Sequence, residues 1–359
     1  MNSDFEENEK YDYYREVYLD IPTYFNKETI NFIKEIDQSK WFNIIRIPVK
    51  HVYGSLSGIL SARETKRLCK VEPYMLESHI KELKKINVDF FYAFNTSCLG
   101  SLSMNKMMEI KNTIKTLSDI GVKNFIVAHP FLIEVLREQI PDCKIKASVI
   151  LEIDNSVQLK YFLEKVDIVN LSTRVNRDFT FLKMFKKYRK KIELLCNEVC
   201  LYMCPFRASH YTIESHRHKN REYCSDYPVN LCYEKMTEVE IIRSRFILPE
   251  WINYYSRFAS FFKISGRTFS QSFIHNVANH YSSGNSPKNI LDLFPIVTGS
   301  IRNEQNKITD NRVLEIPEHE KTLFLTYFKL YGNKCQYLCP CGRCNSYTKY
   351  FERGKHKND

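Results

Sequence analysis

Eight short apolar runs rich in β-branched and aromatic residues recur along the chain, alternating with helical patterns of roughly ten to fifteen residues, the trace of repeated βα units. The runs are Val17 to Ile21, Ile44 to Val49, Asp89 to Phe94, Phe125 to His129, Ile145 to Leu151, Ile168 to Leu171, Ile192 to Cys196 and Phe261 to Ser265. Helical periodicity covers Lys27 to Ile36, Tyr74 to Ile86, Met104 to Ile120, Leu132 to Gln139, Ser156 to Lys165, Phe179 to Tyr188 and Ser270 to Tyr281. Several of the strands are nearly continuous in apolar residues, as parallel strands covered on both faces by helices should be. Eight such units close an α/β barrel of the (β/α)8, TIM-like type. The competing architecture, a doubly wound open sheet, is disfavoured by the strand count.

Two places break the rhythm. Residues 197–257 form a long cysteine- and histidine-bearing insertion after the seventh strand, where a simple barrel needs a short loop and a helix. After Pro287 the pattern fades into a polar stretch that ends in a compact cysteine cluster and a charged tail. The expected organisation is therefore a barrel over 1–284 with a metal-binding insertion, a small cysteine-rich C-terminal extension over 285–351, and a disordered tail over 352–359.

Twelve cysteines in 359 residues without a secretory signal point to metal binding rather than to disulfides. The opening MNSDFEENEKYDYY is acidic and lacks an apolar core, and no window is apolar enough to span a bilayer, so a cytoplasmic protein without a membrane partner is expected. Cys69, Cys98 and Cys143 stand alone and read as small buried hydrophobes, as does Cys196 within the seventh strand. Cys200 and Cys204 differ: they follow that strand directly and meet Pro205, and Cys224 and Cys232 lie in the same insertion. Four thiolates from one loop suit a tetrahedral zinc or a four-iron cluster. The C-x2-C knuckles usual for zinc are absent from the insertion, which leans the spacing to iron and sulfur. Residues just past the carboxyl ends of barrel strands form the active face, so a metal here would look into the barrel mouth. Cys335, Cys339, Cys341 and Cys344 form a second cluster, dense enough to need a neutralising cation. It suits a second cluster, a zinc, or a ligand lent to the first site.

The cysteine segment, together with Lys263-Ile-Ser-Gly266-Arg267 leading into a helix that ends near Tyr281, resembles the collagenase-like peptidase family U32. Phe246-Ile-Leu-Pro-Glu250 upstream resembles the element that introduces that strand, and the similarity runs from about Tyr14 to Tyr281. The resemblance implies a barrel and a four-iron, four-sulfur cluster, with Cys200, Cys204, Cys224 and Cys232 in the ligand positions. It also implies the chemistry of the better understood members, oxygen-independent hydroxylation of tRNA, ribosomal RNA and the ubiquinone ring; the peptidase label rests on older assignments. This chain departs from the family pattern in the closer spacing of its first two cysteines and in lacking a Ser-Gly-Arg-Cys element between them. Cys232 and a C-terminal cysteine therefore both stand as candidates for the fourth ligand.

Polar residues near the expected strand ends or in the insertion are Asn95, His129, Asn170, Arg174, Asn197, Glu198, Arg207, His210, Glu250 and Arg267. Among them Arg207, His210, Glu250 and Arg267 are the candidate catalytic residues: the arginines to grip an anionic group bidentately, His210 to move protons. The formal charge of +11 is spread along the chain and favours an anionic partner weakly. An iron-sulfur modifying enzyme acting on RNA, a peptide or a small aromatic molecule is the leading expectation. The alternatives are a collagenase-like peptidase, for which neither Cys98 nor Ser209-His210 sits in a nucleophile motif, and a non-catalytic peptide-binding protein or heterodimer partner of a related barrel.

Overall fold

The computed structural model describes residues 16–38, 46–56, 60–61, 71–100, 103–216, 236–295, 312–332 and 341–353. Eight parallel strands pair in chain order: β1 (Tyr18–Pro22), β2 (Val49–Gly54), β3 (Asp89–Phe94), β4 (Asn124–Val127), β5 (Lys144–Ala147), β6 (Ile168–Asn170), β7 (Ile192–Leu195) and β8 (Phe261–Lys263). Pairing of β8 with β1, Leu19 opposite Phe262, closes the sheet into a (β/α)8 barrel.

Helices α1 (Lys27–Gln38), α2 (Pro73–Lys85), α3 (Met104–Asp119), α4 (Pro130–Gln139), α5 (Ser156–Lys165) and α6 (Phe179–Met184) follow the first six strands. Their starts are written locally. Pro73 and Pro130 occupy first-turn positions that have no N–H to lose, and Ser103, Asn155 and Asp178 each accept a backbone N–H of the first turn. After β7 come α7 (Arg207–His216), α8 (Glu238–Arg243) and α9 (Ile252–Tyr255), and α10 (Gln271–Ser283) follows β8.

Three elements differ from the sequence expectation. The second strand is Val49–Gly54 rather than Ile44 to Val49, because the proline at 48 has no N–H for a ladder and pairing with β1 begins at Val49, opposite Leu19. The fifth strand stops at Ala147, where the Ser148 side chain caps a 3-10 turn over Val149–Leu151. The sixth helix ends at Met184 and gives way to a 3-10 segment, Lys186–Lys191.

The barrel has two interiors. Between sheet and helices lies a continuous apolar layer that includes Leu19, Val52, Tyr92, Phe94, Phe125, Leu194 and Phe262. Inside the barrel a small separate cluster, Tyr53, Phe91, Ile126 and Ile168 against Phe261, takes the alternate positions of the same strands. A network of charged and polar side chains shares this interior, as described below.

The C-terminal extension shares the barrel's outer core. Helix α11 (Glu318–Tyr331), a helical region the sequence reading missed, packs Phe324 and Phe328 on Trp251, and Tyr347 stacks on Phe324. Arg177 sits at this seam, 1% exposed, with its guanidinium over the rings of Phe328 and Phe246 and one N–H donated to Ile242 O. Gly332 approaches so closely that a Cβ would lie 1.8 Å from Arg177 O. Strands β9 (Arg312–Leu314) and β10 (Phe351–Arg353) pair antiparallel, so Glu352 and Arg353 of the tail expected to be disordered are ladder residues. Among the described residues no helix is long and apolar enough to cross a membrane.

Candidate functional site

The chain leaves β7 through a fixed hinge. Asn197 is fully buried; its Nδ2 donates to Ser265 O and Leu293 O, while its Oδ1 accepts from Ser265 N at 2.7 Å and from Ser265 Oγ at 3.0 Å. These bonds pin the start of the insertion to the segment that follows β8. Cys200 and Cys204 come next, held by Ser244 Oγ donating to Cys200 O and by a turn through Met203 at φ 54°.

The two sulfurs are neighbours: the Cys200 thiol donates a hydrogen bond to Cys204. That bond first, then the Phe206 N–H and the Arg207 and Arg174 charges, bring the Cys204 thiol down to about 6 against the opposing effect of burial. The same bond, with burial, pushes the Cys200 thiol far up.

Around them is a lattice of carboxylates and guanidinium groups at the carboxyl ends of β5, β6 and β7. Arg207, 5% exposed, opens α7; its Nε reaches Glu152 Oε1 at 2.6 Å and its Nη2 reaches Glu198 Oε2 at 2.8 Å. Arg174 bridges Glu152 at 3.3 Å and Asp154 at 3.2 Å. Burial raises the Glu152 carboxyl, opposed by the Arg207 charge, while burial of Arg207 is outweighed by Glu198 and its neighbours, so its guanidinium stays charged. Arg245 lies over the Tyr202 ring at 3.9 Å. Thr173, Arg174, Glu198, Cys200, Tyr202 and Arg207 line a narrow crevice of about 10 Å³, roughly the room of one water molecule.

The other expected site residues scatter. His210 lies on α7, 4.0 Å from Glu214 of the same helix. Glu250 accepts from Ser286 Oγ at 2.6 Å and pairs with Lys321 at 2.8 Å, an arrangement that docks α11 on the barrel rather than one that faces the thiols. Arg267 is buried and donates to Ser55 Oγ and Ser61 Oγ, so it braces the loop after β2. Just before it, Gly266 at φ +120° leaves no room for a Cβ, which would come within 2.9 Å of Ile274. Tyr281, at the end of that motif, donates its buried hydroxyl to Ile247 O. Cys224, Cys232, Cys335 and Cys339 lie outside the described residues, as does Cys69. Cys344 is buried in the outer core and Cys341 is exposed; the helix that carries Cys344, α12 (Arg343–Ser346), packs on α8. Cys143 and Cys196 are buried as expected, but Cys98 is half-buried.

Sequence reasoning missed a dense buried charge cluster among the described residues. Lys146 of β5, 0% exposed, points into the barrel and places Nζ 2.6 Å from Asp20 Oδ2 of β1, 2.6 Å from Glu193 Oε1 of β7 and 3.0 Å from His51 Nδ1 of β2. Lys263 of β8 adds a second ammonium, 3.3 Å from Asp20 and 3.8 Å from Glu193, and Asn170 of β6 donates to Glu193 Oε2 at 2.7 Å. Burial alone would raise the Asp20 carboxyl, but Lys146 and Lys263 outweigh it and hold that group well below the usual carboxylate range. Glu193 goes the other way, pushed up by burial and by the Asp20 charge. Burial, then the Lys146 charge, keeps His51 neutral, as an Nδ1 acceptor must be. Part of the signal was present: Asp20, Glu193 and Lys263 are each a single charge in an otherwise apolar strand, whereas Lys146 and His51 share their strands with Lys144 and Lys50.

A (β/α)8 barrel with paired thiols bracketed by arginines at its carboxyl face, over a charged lumen, is the class of protein these observations define. A family model described as Peptidase family U32 matches residues 43–239. The chain belongs to that family. It is 31% identical over 226 residues to "Uncharacterized protease MJ1657" of Methanocaldococcus jannaschii, covering 61% of this chain and 67% of that protein. Among solved structures it is similar to the U32 peptidase Mk0906, at 14% identity over 70% of this chain and 93% of that one, with a TM-score of 0.49. It is also similar to CpGH84B, at 12% identity over 79% and 49%, with a TM-score of 0.37.

Proposed function

We propose that this chain is an iron-sulfur modifying enzyme of the oxygen-independent hydroxylase kind, working in a reducing compartment on RNA, a peptide or a small aromatic molecule. The reading rests on Cys200 and Cys204 lying side by side directly after β7, with Arg207 and Arg174 beside them. Two neighbouring thiols form a donor set for a soft metal, because the metal replaces their protons and gives both thiolates a counter-charge. The pair fits a four-iron, four-sulfur cluster as two of its four ligands. Cys224 and Cys232 are the remaining candidates, and a C-terminal cysteine is the alternative fourth ligand, since α12 rests on α8 within the insertion.

Such a cluster supplies one-electron chemistry at the barrel mouth. The chain's own residues do the rest. Asn197 fixes the ligand loop to β8, and Arg207, clamped by Glu152 and Glu198, holds a guanidinium beside the sulfurs without being free to swing away. Arg174 and Arg245 line the same recess and offer donors to an anionic substrate group.

Anaerobically purified protein should be brown and carry about four iron and about four sulfide per chain. Cys200→Ala and Cys204→Ala should each lose both. A colourless, zinc-containing preparation would overturn the proposal. The protease name carried by the archaeal relative supports a hydrolytic reading instead. Against it, the hydroxyl-imidazole contact between Thr23 and His79, 2.7 Å, is buried away from any substrate. Peptide hydrolysis by metal-free protein would decide for that reading.

A further inference from the structure

We propose that Arg245 is the receptor for a singly charged oxyanion of the substrate, one oxygen of which enters the crevice beside Cys200 while the rest of the molecule stays outside. The inference rests on the reading of the barrel mouth as the substrate side of the site, and it needs no cluster to be present.

The charges of the mouth balance in number but not in contact. Glu152 and Glu198 are taken by Arg207, and Glu152 and Asp154 by Arg174. Among the described residues no carboxylate forms an ion pair with Arg245, which is 6% exposed and whose Nε is buried with no hydrogen-bond partner. Nor is its charge spent on the thiols, since the guanidinium groups that act most strongly on them are those of Arg207 and Arg174. A buried cation without a counter-ion is costly, and a ligand that supplies the opposite charge recovers that cost.

Arg245 is also held in place for such a ligand. Asn176, which donates to Leu195 O at the end of β7, donates to Arg245 O at 2.8 Å, and the adjacent Ser244 donates its Oγ to Cys200 O at 2.8 Å. The guanidinium lies over the Tyr202 ring, 3.9 Å from its centroid. A guanidinium that rests its face on a ring keeps its N–H groups free at the edge, where Nε and one Nη form a fork that fits two oxygens of a carboxylate or a phosphodiester.

Size and charge narrow the ligand. Arg245 lines the crevice with Arg174, Cys200 and Tyr202, and the space holds one water or one oxygen of an anion. Met203, 50% exposed, and the Arg174 side chain, 26% exposed, line it as well, so the body of the ligand lies on their solvent side. Glu198 on the same lining repels a second negative charge, which favours a carboxylate or phosphodiester over a dianion.

The test is calorimetric titration of anaerobically purified protein with benzoate, dimethyl phosphate and sulfate, with benzamide as the uncharged control and iron and sulfide counted in the same preparation. One of the two singly charged ions should saturate about one site per chain and bind more tightly than sulfate, and benzamide should not bind. Preference for benzoate assigns the group to a carboxylic acid, and preference for dimethyl phosphate to a phosphodiester. Arg245→Met should abolish binding. Arg245→Lys, which keeps the charge without the fork, should weaken it by roughly tenfold or more and serves alone if the Met variant does not fold. The proposal is overturned if neither ion saturates a site, if sulfate or benzamide binds as tightly, or if Arg245→Lys binds like the native chain. Arg245-dependent binding in protein that carries no iron would uphold this inference and sink the proposed function, whereas a full complement of iron and sulfide without anion binding would do the reverse.

Discussion

Replacing Lys146 by Met keeps the side-chain length and removes the charge, which isolates the electrostatics of the lumen. Asp20 and Glu193 would then face each other at 0% exposure with Lys263 alone to balance them, at 3.3 and 3.8 Å instead of the 2.6 Å of Lys146. Breaking a buried ion pair by removing one partner costs about 3–5 kcal/mol, and the second ammonium keeps the expected loss near the lower end. Linkage fixes its dependence on pH. Glu193 already has a raised pKa in the folded state, so as pH rises past the ordinary carboxylate value the unfolded chain releases this proton first and the native state loses ground. Without Lys146 the pKa goes higher still, so the deficit of the variant should grow as pH rises and shrink as pH falls toward the ordinary carboxylate range. Asp20 behaves oppositely: its depressed pKa gives the wild type stability that is present above the ordinary carboxylate value and lost as pH falls below it. Urea unfolding followed by circular dichroism across the neutral range reads the Glu193 effect, and the Asp20 effect shows only on acidification below the ordinary carboxylate value. A variant within about 1 kcal/mol of wild type at neutral pH, or a deficit independent of pH, would refute the reasoning. Lys165→Met, which removes an exposed pair with Glu134, serves as the control and should leave the unfolding curve unchanged.

Other perturbations separate scaffold from site. Arg207→Met leaves Glu152 and Glu198 without their shared partner and should cost about 1–3 kcal/mol in the same unfolding assay, together with a weakened hold on metal at Cys204. Gly266→Ala forces a side chain into a positive-φ position against Ile274 and should cost about 1–3 kcal/mol; a neutral result would mean the loop rearranges freely. Arg177→Met removes the hydrogen bond to Ile242 O and the charge over Phe328 and Phe246, so limited proteolysis should release the segment carrying α11 faster than from wild type.

The barrel was legible in the sequence because apolar period and strand count are local properties. Seven of the eight strands fall where the pattern puts them. The exception, β2, hides because its own lumenal positions are His51 and Tyr53, while the more apolar run just upstream ends at a proline. The same cause hid the lumenal network. A lone Asp, His, Lys or Glu within a strand looks like noise along the chain, and only closure of the sheet shows that five strands aim these residues at one point. At the mouth, Cys200, Cys204 and Arg207 could be found because spacing and position after β7 are sequence properties. Glu152 could not: its part in the site depends on the strand stopping at Ala147 and the chain turning through a left-handed residue, φ 51°. Glu250 and Arg267 are polar residues close to strand ends whose partners, Lys321, Ser55 and Ser61, are far away in sequence, so these contacts could not be read along the chain.

Charge balance links the two centres. In the lumen two carboxylates meet two ammonium groups, and His51 adds nothing. The lumen is therefore neutral and makes no demand on an outside cation. At the mouth, Glu152, Asp154 and Glu198 are matched by Arg174, Arg207 and Arg245 before the sulfurs are considered. Ionising Cys204 takes that balance to a net negative charge, and ionising Cys200 as well takes it further, in a partly desolvated recess where unpaired charge is costly. The mouth therefore draws a cation in proportion to the thiolates it must form, whereas the lumen carries its own. Removing the arginines should raise the pH at which metal is taken up at the mouth, because each lost guanidinium makes the second thiolate harder to form.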